Sequence, residues 1–175
     1  MSKFNIALSF ATEDSLLVEK VYRYLKAEGL SVFFAPSPDG QAILSGKNQR
    51  EVFYSIFGLE SEYVALFVSK HYLEREVPME EANIALSKHA GDGHVLPIYL
   101  DGTHLPYDMF DPKKDNYYRS NNPAHIADHI AKKLKPQSQQ GHPEPNSNLG
   151  SRMIIKGNIA DKQTFVQNLN GSMKT

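Results

Sequence analysis

In the stretch KFNIALSF, Phe4, Ile6, Leu8 and Phe10 recur at period two, so residues 4–10 read as a strand with one apolar face. The period then changes. In ATEDSLLVEKVYRYLKAEG, Leu17, Val21 and Leu25 return every four residues and predict a helix, with Thr12 as N-cap, Glu13 and Asp14 at the positive helix end and Gly29 as the stop. LSVFF is short and almost wholly apolar, as a strand covered on both faces is. APSPDGQAILSGK, rich in Pro, Gly and Ser, reads as a long loop over residues 35–46, and loops of about a dozen residues inside compact domains tend to be functional. NQREVFYSIFG predicts a helix ending at Gly58, EYVALFVS a third strand, residues 78–90 a helix closed by GDG, and HVLPIYL a fourth strand. A short strand is expected at NYYRS. A last helix follows in NNPAHIADHIAKKLK, with Asn122 as N-cap and Pro123 at the first helical position.

Strand and helix alternate throughout, so parallel pairing with right-handed crossovers is the economical architecture, with helices on both faces of a central sheet. In such sheets ligands bind at the carboxyl ends of the strands. Residues 10–14, the loop 35–46 and residues 69–81 converge on that edge.

Composition narrows the chemistry. The 175 residues suffice for one domain and a tail, and Lys+Arg 19 against Asp+Glu 20 gives a net charge of −1. That balance argues against bulk electrostatic binding of nucleic acid or an anionic membrane. With no cysteine, disulfides, thiolate catalysis and Cys-ligated zinc are excluded. The start, MSKFNIALSF, is too quickly polar for a signal peptide, and no apolar run reaches membrane-spanning length, so a cytoplasmic protein is expected. From residue 136 the pattern is lost: residues 136–152 read as a flexible linker, and residues 153–175 as a short β-prone segment in which 153–170 are suited to self-association, to partner capture or to docking on the domain.

The common phosphate cradles and the nucleophile elbow are missing. His125 and His129 stand four apart on one helix face, but with no acidic residue in a metalloprotease pattern no metal site is expected. Asp101 ends a strand, where some proteins keep a phosphoacceptor, yet a plain turn follows it. The helix over 78–90 is more informative. Met79, Ala82, Leu86 and Ala90 form its expected core stripe, flanked by Ala85, and Glu80 and Glu81 fall on opposite flanks. Glu80 stands at the third helical position if Pro78 is the first, where a carboxylate caps backbone amides. Glu81 lies beside the small Ala82 and Ala85, which leave room next to a carboxylate. By pattern alone both remain solvated helix-start residues or ligand-facing ones.

NIALSFATED, LSGKN with the helix after it, and EYVALFVSKHYLEREVPMEEANIA resemble the TIR (Toll/interleukin-1 receptor) domain family, in particular its stand-alone bacterial members. LFVSKHY is the most specific piece, and the resemblance runs from residue 4 to residue 135. It implies a flavodoxin-like, doubly wound five-stranded parallel sheet with helices on both faces, with residues 35–46 as the BB loop. Many such domains cleave NAD, as substrate and not as a resident cofactor, between nicotinamide and ribose. The family's catalytic glutamate lies in a W-x-x-x-E pattern, which here reads Val77-Pro78-Met79-Glu80-Glu81 and gives Glu81 the catalytic position with Val77 in place of the tryptophan. Ala35 and Ser45 stand where related bacterial sequences often carry an acidic residue and a tryptophan. By the same resemblance Phe10, Ala11, Ser45, Gly46, Lys47 and Val77 bound the nucleotide, and copies of the chain assemble through the domain and its BB loop.

One carboxylate suffices for that reaction. Nicotinamide leaves as a neutral base from a cationic pyridinium, so no acid is required, unlike the two-carboxylate glycosidases. What remains is to stabilise an oxocarbenium-like centre and hold the ribose hydroxyls. Nearness to a helix N-terminus is expected to keep Glu81 ionised. The leading expectation is an NAD glycohydrolase of bacterial immune or cell-suicide type, activated by self-assembly. A non-catalytic TIR–TIR adaptor and an ADP-ribosyl cyclase or transferase are the alternatives.

Overall fold

The computed structural model describes residues 2–89 and 91–135. The expected linker at 136–152 and the segment at 153–175 lie outside the described residues. Five parallel strands form one sheet: β1 (Phe4–Phe10), β2 (Val32–Phe33), β3 (Ser61–Val68), β4 (Val95–Tyr99) and β5 (Tyr118–Arg119), in the order β2-β1-β3-β4-β5. This is the flavodoxin-like order, in which the chain winds outward in both directions from β1. The helices are α1 (Ser15–Ala27), α2 (Pro38–Leu44), α3 (Gln49–Ser55), α4 (Lys70–Glu74), α5 (Glu76–Lys88) and α6 (Pro123–Leu134). No described helix is long and apolar enough to cross a membrane.

The sheet separates two apolar cores, and strand alternation decides which residue enters which. Ile6 and Leu8 of β1 and Ala65 and Phe67 of β3 meet α1 and α6 through Val18, Val21, Leu25, Ile126 and Ile130. Ala7 and Ala11, with Val64, Leu66 and Val68, face the other way, toward α3, α4 and α5. Phe4 departs from the expected face: at the open end of β1 its ring lies edge-on to Phe33 of β2, centroids 5.5 Å apart, and packs with the second core.

Helix ends follow local chemistry, though not always where the pattern put them. Gly29 adopts φ +81° and stops α1 as expected. Thr12 does not cap α1, because Thr12–Asp14 form a separate 3₁₀ turn before it. The helix after residue 48 ends earlier than Gly58: α3 stops at Ser55, and a wider π turn, Ile56–Glu60, leads into β3.

The long 35–46 loop is a further departure, for it contains α2. Ser37 Oγ accepts from the Gly40 N–H at 3.0 Å and Pro38 takes the first turn, a helix-start signal that the Pro/Gly/Ser composition had masked. Only Ser45, Gly46 and Lys47 remain as an exposed connection to α3. Gly40 is obligatory by contact: a Cβ there would stand 2.3 Å from the Phe34 carbonyl oxygen and 2.7 Å from that of Ala35. Both are backbone atoms that have no rotamer to escape into. Gly40→Ala should therefore lower stability by about 1–3 kcal/mol, read as the urea midpoint with unchanged slope.

α5 begins two residues before Pro78, at Glu76. Proline is tolerated there because N–H groups of the first turn have no partner within the helix. Two expectations for the glutamates change here. The buried stripe is Pro78, Glu81, Ala82 and Ala85, and Met79 and Leu86 are only partly covered. Glu80 is not a cap, and its carboxylate pairs with Arg50 of α3 at 3.0 Å.

Candidate active site

Glu81 sits inside the apolar stripe of α5, with only 7% of its surface exposed. Close approach of α5 to β1 rests on small residues: Ala7 and Ser9 on the strand, Ala11 just after it, and Ala82 and Ala85 on the helix, all buried. In that seam Ser9 Oγ and Glu81 Oε2 are hydrogen-bonded at 2.5 Å. Ser9 Oγ also lies 2.7 Å from the hydroxyl of Tyr72, which is fully buried on α4. Tyr72 in turn donates to the Pro78 carbonyl, 2.9 Å away, within α5. Three side chains and one carbonyl thus form a continuous chain between β1, α4 and α5.

Burial is the dominant influence on the carboxyl. It pushes the Glu81 pKa up from 4.5 to about 8, helped by the neighbouring charge of Glu80 and opposed by the Ser9 hydrogen bond. The expectation of an ionised Glu81 is therefore corrected for this arrangement, because desolvation outweighs the field of the helix N-terminus. Burial and the same glutamate also raise Tyr72 well above the usual phenol range. A buried carboxyl with a strongly perturbed pKa at the carboxyl edge of a doubly wound sheet is a strong pointer to a functional site.

The chain is anchored from outside. Ser69, at the end of β3, accepts from the Tyr72 N–H at 3.2 Å and donates to Asp14 at 2.5 Å. Arg75 pairs with Glu13, which lowers the Glu13 pKa. α4 is thereby tied to the turn after β1. Asp101 accepts from the backbone N–H of Lys70 at 3.0 Å and of Thr103 at 2.7 Å, a turn-forming role.

The remaining expected site residues are spread around this point. Ala11 is buried beneath it in the same core. Phe10 points to the opposite face of the sheet, where it stacks on Phe34 with centroids 5.3 Å apart. Ser45, Gly46 and Lys47 are exposed on the connection between α2 and α3, and Val77 is 38% exposed on α5. A cleft of about 490 Å³ lies along β4 and β5, lined by His89, Val95, Phe110, Tyr117 and His129 among others, and Glu81 is not one of its walls.

Ser9 and Tyr72 were not singled out from sequence. Ser9 carried one available signal: it is the polar residue between Leu8 and Phe10 in a strand otherwise built for two apolar faces. Among the described residues, the expected absence of a metal meets one group of possible ligands. The side chains of His89, Asp92 and His94, in the turns between α5 and β4, bring ligand atoms within 4.8 Å of one another. His129 instead stacks flat on Tyr118, centroids 4.0 Å apart.

A family model described as TIR domain matches residues 6–134. The 3' cyclic ADP-D-ribose synthase AaTIR of Aquimarina amphilecti is 31% identical over 107 residues, which is 59% of this chain and 32% of that protein. The match thus spans about a third of the relative's length. Among solved structures, the TIR domain of the Toll-related receptor TRR-2 from Hydra magnipapillata superposes with a TM-score of 0.58 at 14% identity, covering 75% of this chain and 94% of that one. A TIR-STING receptor from C. gigas gives 0.59 at 17% identity, over 77% of this chain and 41% of that one. At these identities the structural likeness speaks for the fold alone.

Proposed function

The chain belongs to the TIR domain family, and on that premise we propose that it is an NAD-cleaving enzyme that breaks the nicotinamide–ribose bond, with Glu81 as the catalytic residue. The observation that carries this reading is a single buried, hydrogen-bonded carboxyl on α5, the second helix after β3, at the position to which the family's W-x-x-x-E pattern assigns its glutamate. Support also comes from the relative of Aquimarina amphilecti, whose name describes synthesis of a cyclic ADP-ribose.

Charge decides the mechanism. As nicotinamide departs with the bonding pair, positive charge collects on the ribose carbon and ring oxygen. An ionised Glu81 stabilises that charge electrostatically and accepts hydrogen bonds from the ribose hydroxyls, both of which strengthen toward the transition state. Water attacking the carbon gives ADP-ribose and one proton, and attack by another hydroxyl of the same molecule gives a cyclic ADP-ribose and one proton. The relative's name favours the second outcome beside simple hydrolysis. Assembly of copies through the domain and the exposed Ser45–Gly46–Lys47 connection is part of this reading, as is a place for Val77 at the rim of the nucleotide site, whereas Phe10, on the opposite face of the sheet, has none in it.

Incubating the purified full chain with NAD over a range of protein concentrations, and separating products by chromatography, tests the proposal. Release of free nicotinamide with a matching amount of ADP-ribose or its cyclic form is expected, with a rate that climbs more than linearly with protein. Intact NAD at every concentration, in a chain that still self-associates, would leave an adaptor role as the better reading.

A further inference from the structure

Glu81 in this structure is turned inward, toward Ser9 and Tyr72, and that arrangement has a definite proton requirement. The chain has three links: Glu81 to Ser9 at 2.5 Å, Ser9 to Tyr72 at 2.7 Å and Tyr72 to the Pro78 carbonyl at 2.9 Å. Each link needs one proton between its two oxygens. Ser9 and Tyr72 bring one each, and the carbonyl brings none. With Glu81 ionised, two protons serve three links, so one buried oxygen pair is left without a bond. With Glu81 protonated, every link is filled, Glu81 donating to Ser9, Ser9 to Tyr72 and Tyr72 to Pro78. A fully satisfied buried chain is favoured over a broken one.

We propose that Ser9 and Tyr72 are positioning residues that latch Glu81 in a protonated, inward-facing resting form, and that NAD opens the latch by offering its ribose hydroxyls to the carboxylate in place of Ser9. The inference rests on the NAD-cleaving reading for its substrate, and on geometry for the latch itself. Opening moves one proton from the Glu81 carboxyl to buffer. Ser9 and Tyr72 then keep their two protons for the two links that remain, Ser9 to Tyr72 and Tyr72 to Pro78. No covalent bond other than the carboxyl O–H is broken in this step.

The latch accounts for two features together. The carboxyl is buried where a substrate cannot reach it, and the tyrosine that closes the chain stands on α4, which Asp14, Ser69, Glu13 and Arg75 tie to the strand edge. A change at that edge therefore bears directly on Tyr72. The groups facing Glu81 are few. Ser9 comes from β1 and Tyr72 from α4, while β3 contributes the apolar Leu66 and Val68 to the same core. Glu80 acts through its charge from α5 itself and is paired with Arg50 of α3.

Two conservative variants move the latch in opposite directions. Tyr72→Phe removes two links and one proton, leaving Ser9 free to donate to an ionised Glu81. Ser9→Ala removes the partner of the carboxyl in both its forms, and in the apolar seam the unsupported charge loses more than the neutral acid does. The test follows the ¹³C signal of the Glu81 carboxyl, assigned by its loss in Glu81→Gln, through a pH titration of the full chain. In the wild type the midpoint is expected near 8, where burial places it. Tyr72→Phe should lower that midpoint by about one pH unit and Ser9→Ala should raise it by about as much. The acid limb of kcat/KM for NAD should move with it in each variant.

A wild-type midpoint in the ordinary carboxylate range overturns the latch without use of any variant. Midpoints that move the same way in both variants, or not at all, overturn it too, since a merely structural role predicts no opposed shifts. A raised midpoint with opposed shifts in a chain that never cleaves NAD upholds the latch and sinks the catalytic reading instead.

Discussion

Glu81→Gln is expected to abolish release of nicotinamide from NAD, with kcat/KM falling by about a hundredfold to a thousandfold or more, the usual cost of losing a group that meets charge developed in the transition state. The amide has the same shape and can still donate to Ser9, so the fold survives and the loss reads as chemistry. Glu80→Gln provides the contrast. Its carboxylate pairs with Arg50 across a surface where the arginine side chain is 73% exposed and the glutamate side chain 32%. Exposed pairs contribute about 0–1 kcal/mol, and nicotinamide release in Glu80→Gln should stay within about threefold of wild type. Removing the Glu80 charge should also ease ionisation of Glu81 slightly, since that charge helps hold the proton on. Steady-state rates for both variants, taken at several pH values, separate the two glutamates. Equal losses would mean that neither carboxylate is the catalytic one.

The same substitution is expected to stabilise the protein, increasingly so as pH rises. The Glu81 carboxyl titrates near 4.5 in the unfolded chain and at about 8 in this fold. Because the folded value is the higher one, the folded state binds the proton more tightly. Its stabilising contribution is complete below pH 4.5 and is lost progressively between pH 4.5 and about 8. Glutamine carries no such proton and escapes the loss. Stability of Glu81→Gln and of wild type should be nearly equal at pH 4.5, with the variant on the order of a few kcal/mol more stable near pH 8. Urea midpoints across that range read the difference. A gap that stays flat with pH, or grows toward acid, would show that the carboxyl is not held protonated by the fold. Activity and stability thus pull in opposite directions at one residue, as expected where a charged group needed for chemistry is placed in an apolar setting.

The contrast between α2 and α5 shows which parts of the molecule could be read directly. Ser37 and Pro38 are an N-cap and a first-turn proline, yet they sit in a run whose composition reads as loop, and the helix they start is only seven residues long. At α5 the proline reads as the first helical residue, whereas the first turn accommodates it at the third. The start of a helix sets its caps and not the angular spacing of its residues, so the buried face differs from the expected stripe for another reason: the small Ala82 and Ala85 are fully buried, whereas the larger Met79 and Leu86 are only partly covered. The buried face is turned by roughly a quarter turn at 100° per residue, which brings Glu81 from the flank into it. Ser9 has a comparable history. Alternation along β1 correctly set Ile6, Leu8 and Phe10 apart from Ala7 and Ser9, but it carries no information on what covers the second face.

What the sequence determined by itself were properties that depend on neighbours along the chain. The periods of two and near four, the stop at Gly29, the cap at Asn122 and the strand–helix alternation are local, and the parallel five-stranded sheet follows from them with few topologies to choose among. The position of Glu81 in the VPMEE pattern was legible through the family resemblance, because that motif is read from five adjacent residues. Tertiary structure alone decided the state of that glutamate. Ser9 and Tyr72 lie 72 and 9 positions from it in the chain, and only the packing of β1, α4 and α5 brings the three together. Desolvation depends on everything that surrounds a group in space. For that reason the carboxyl's place in the chain pointed to an ionised residue, and its place in the fold makes it a buried acid.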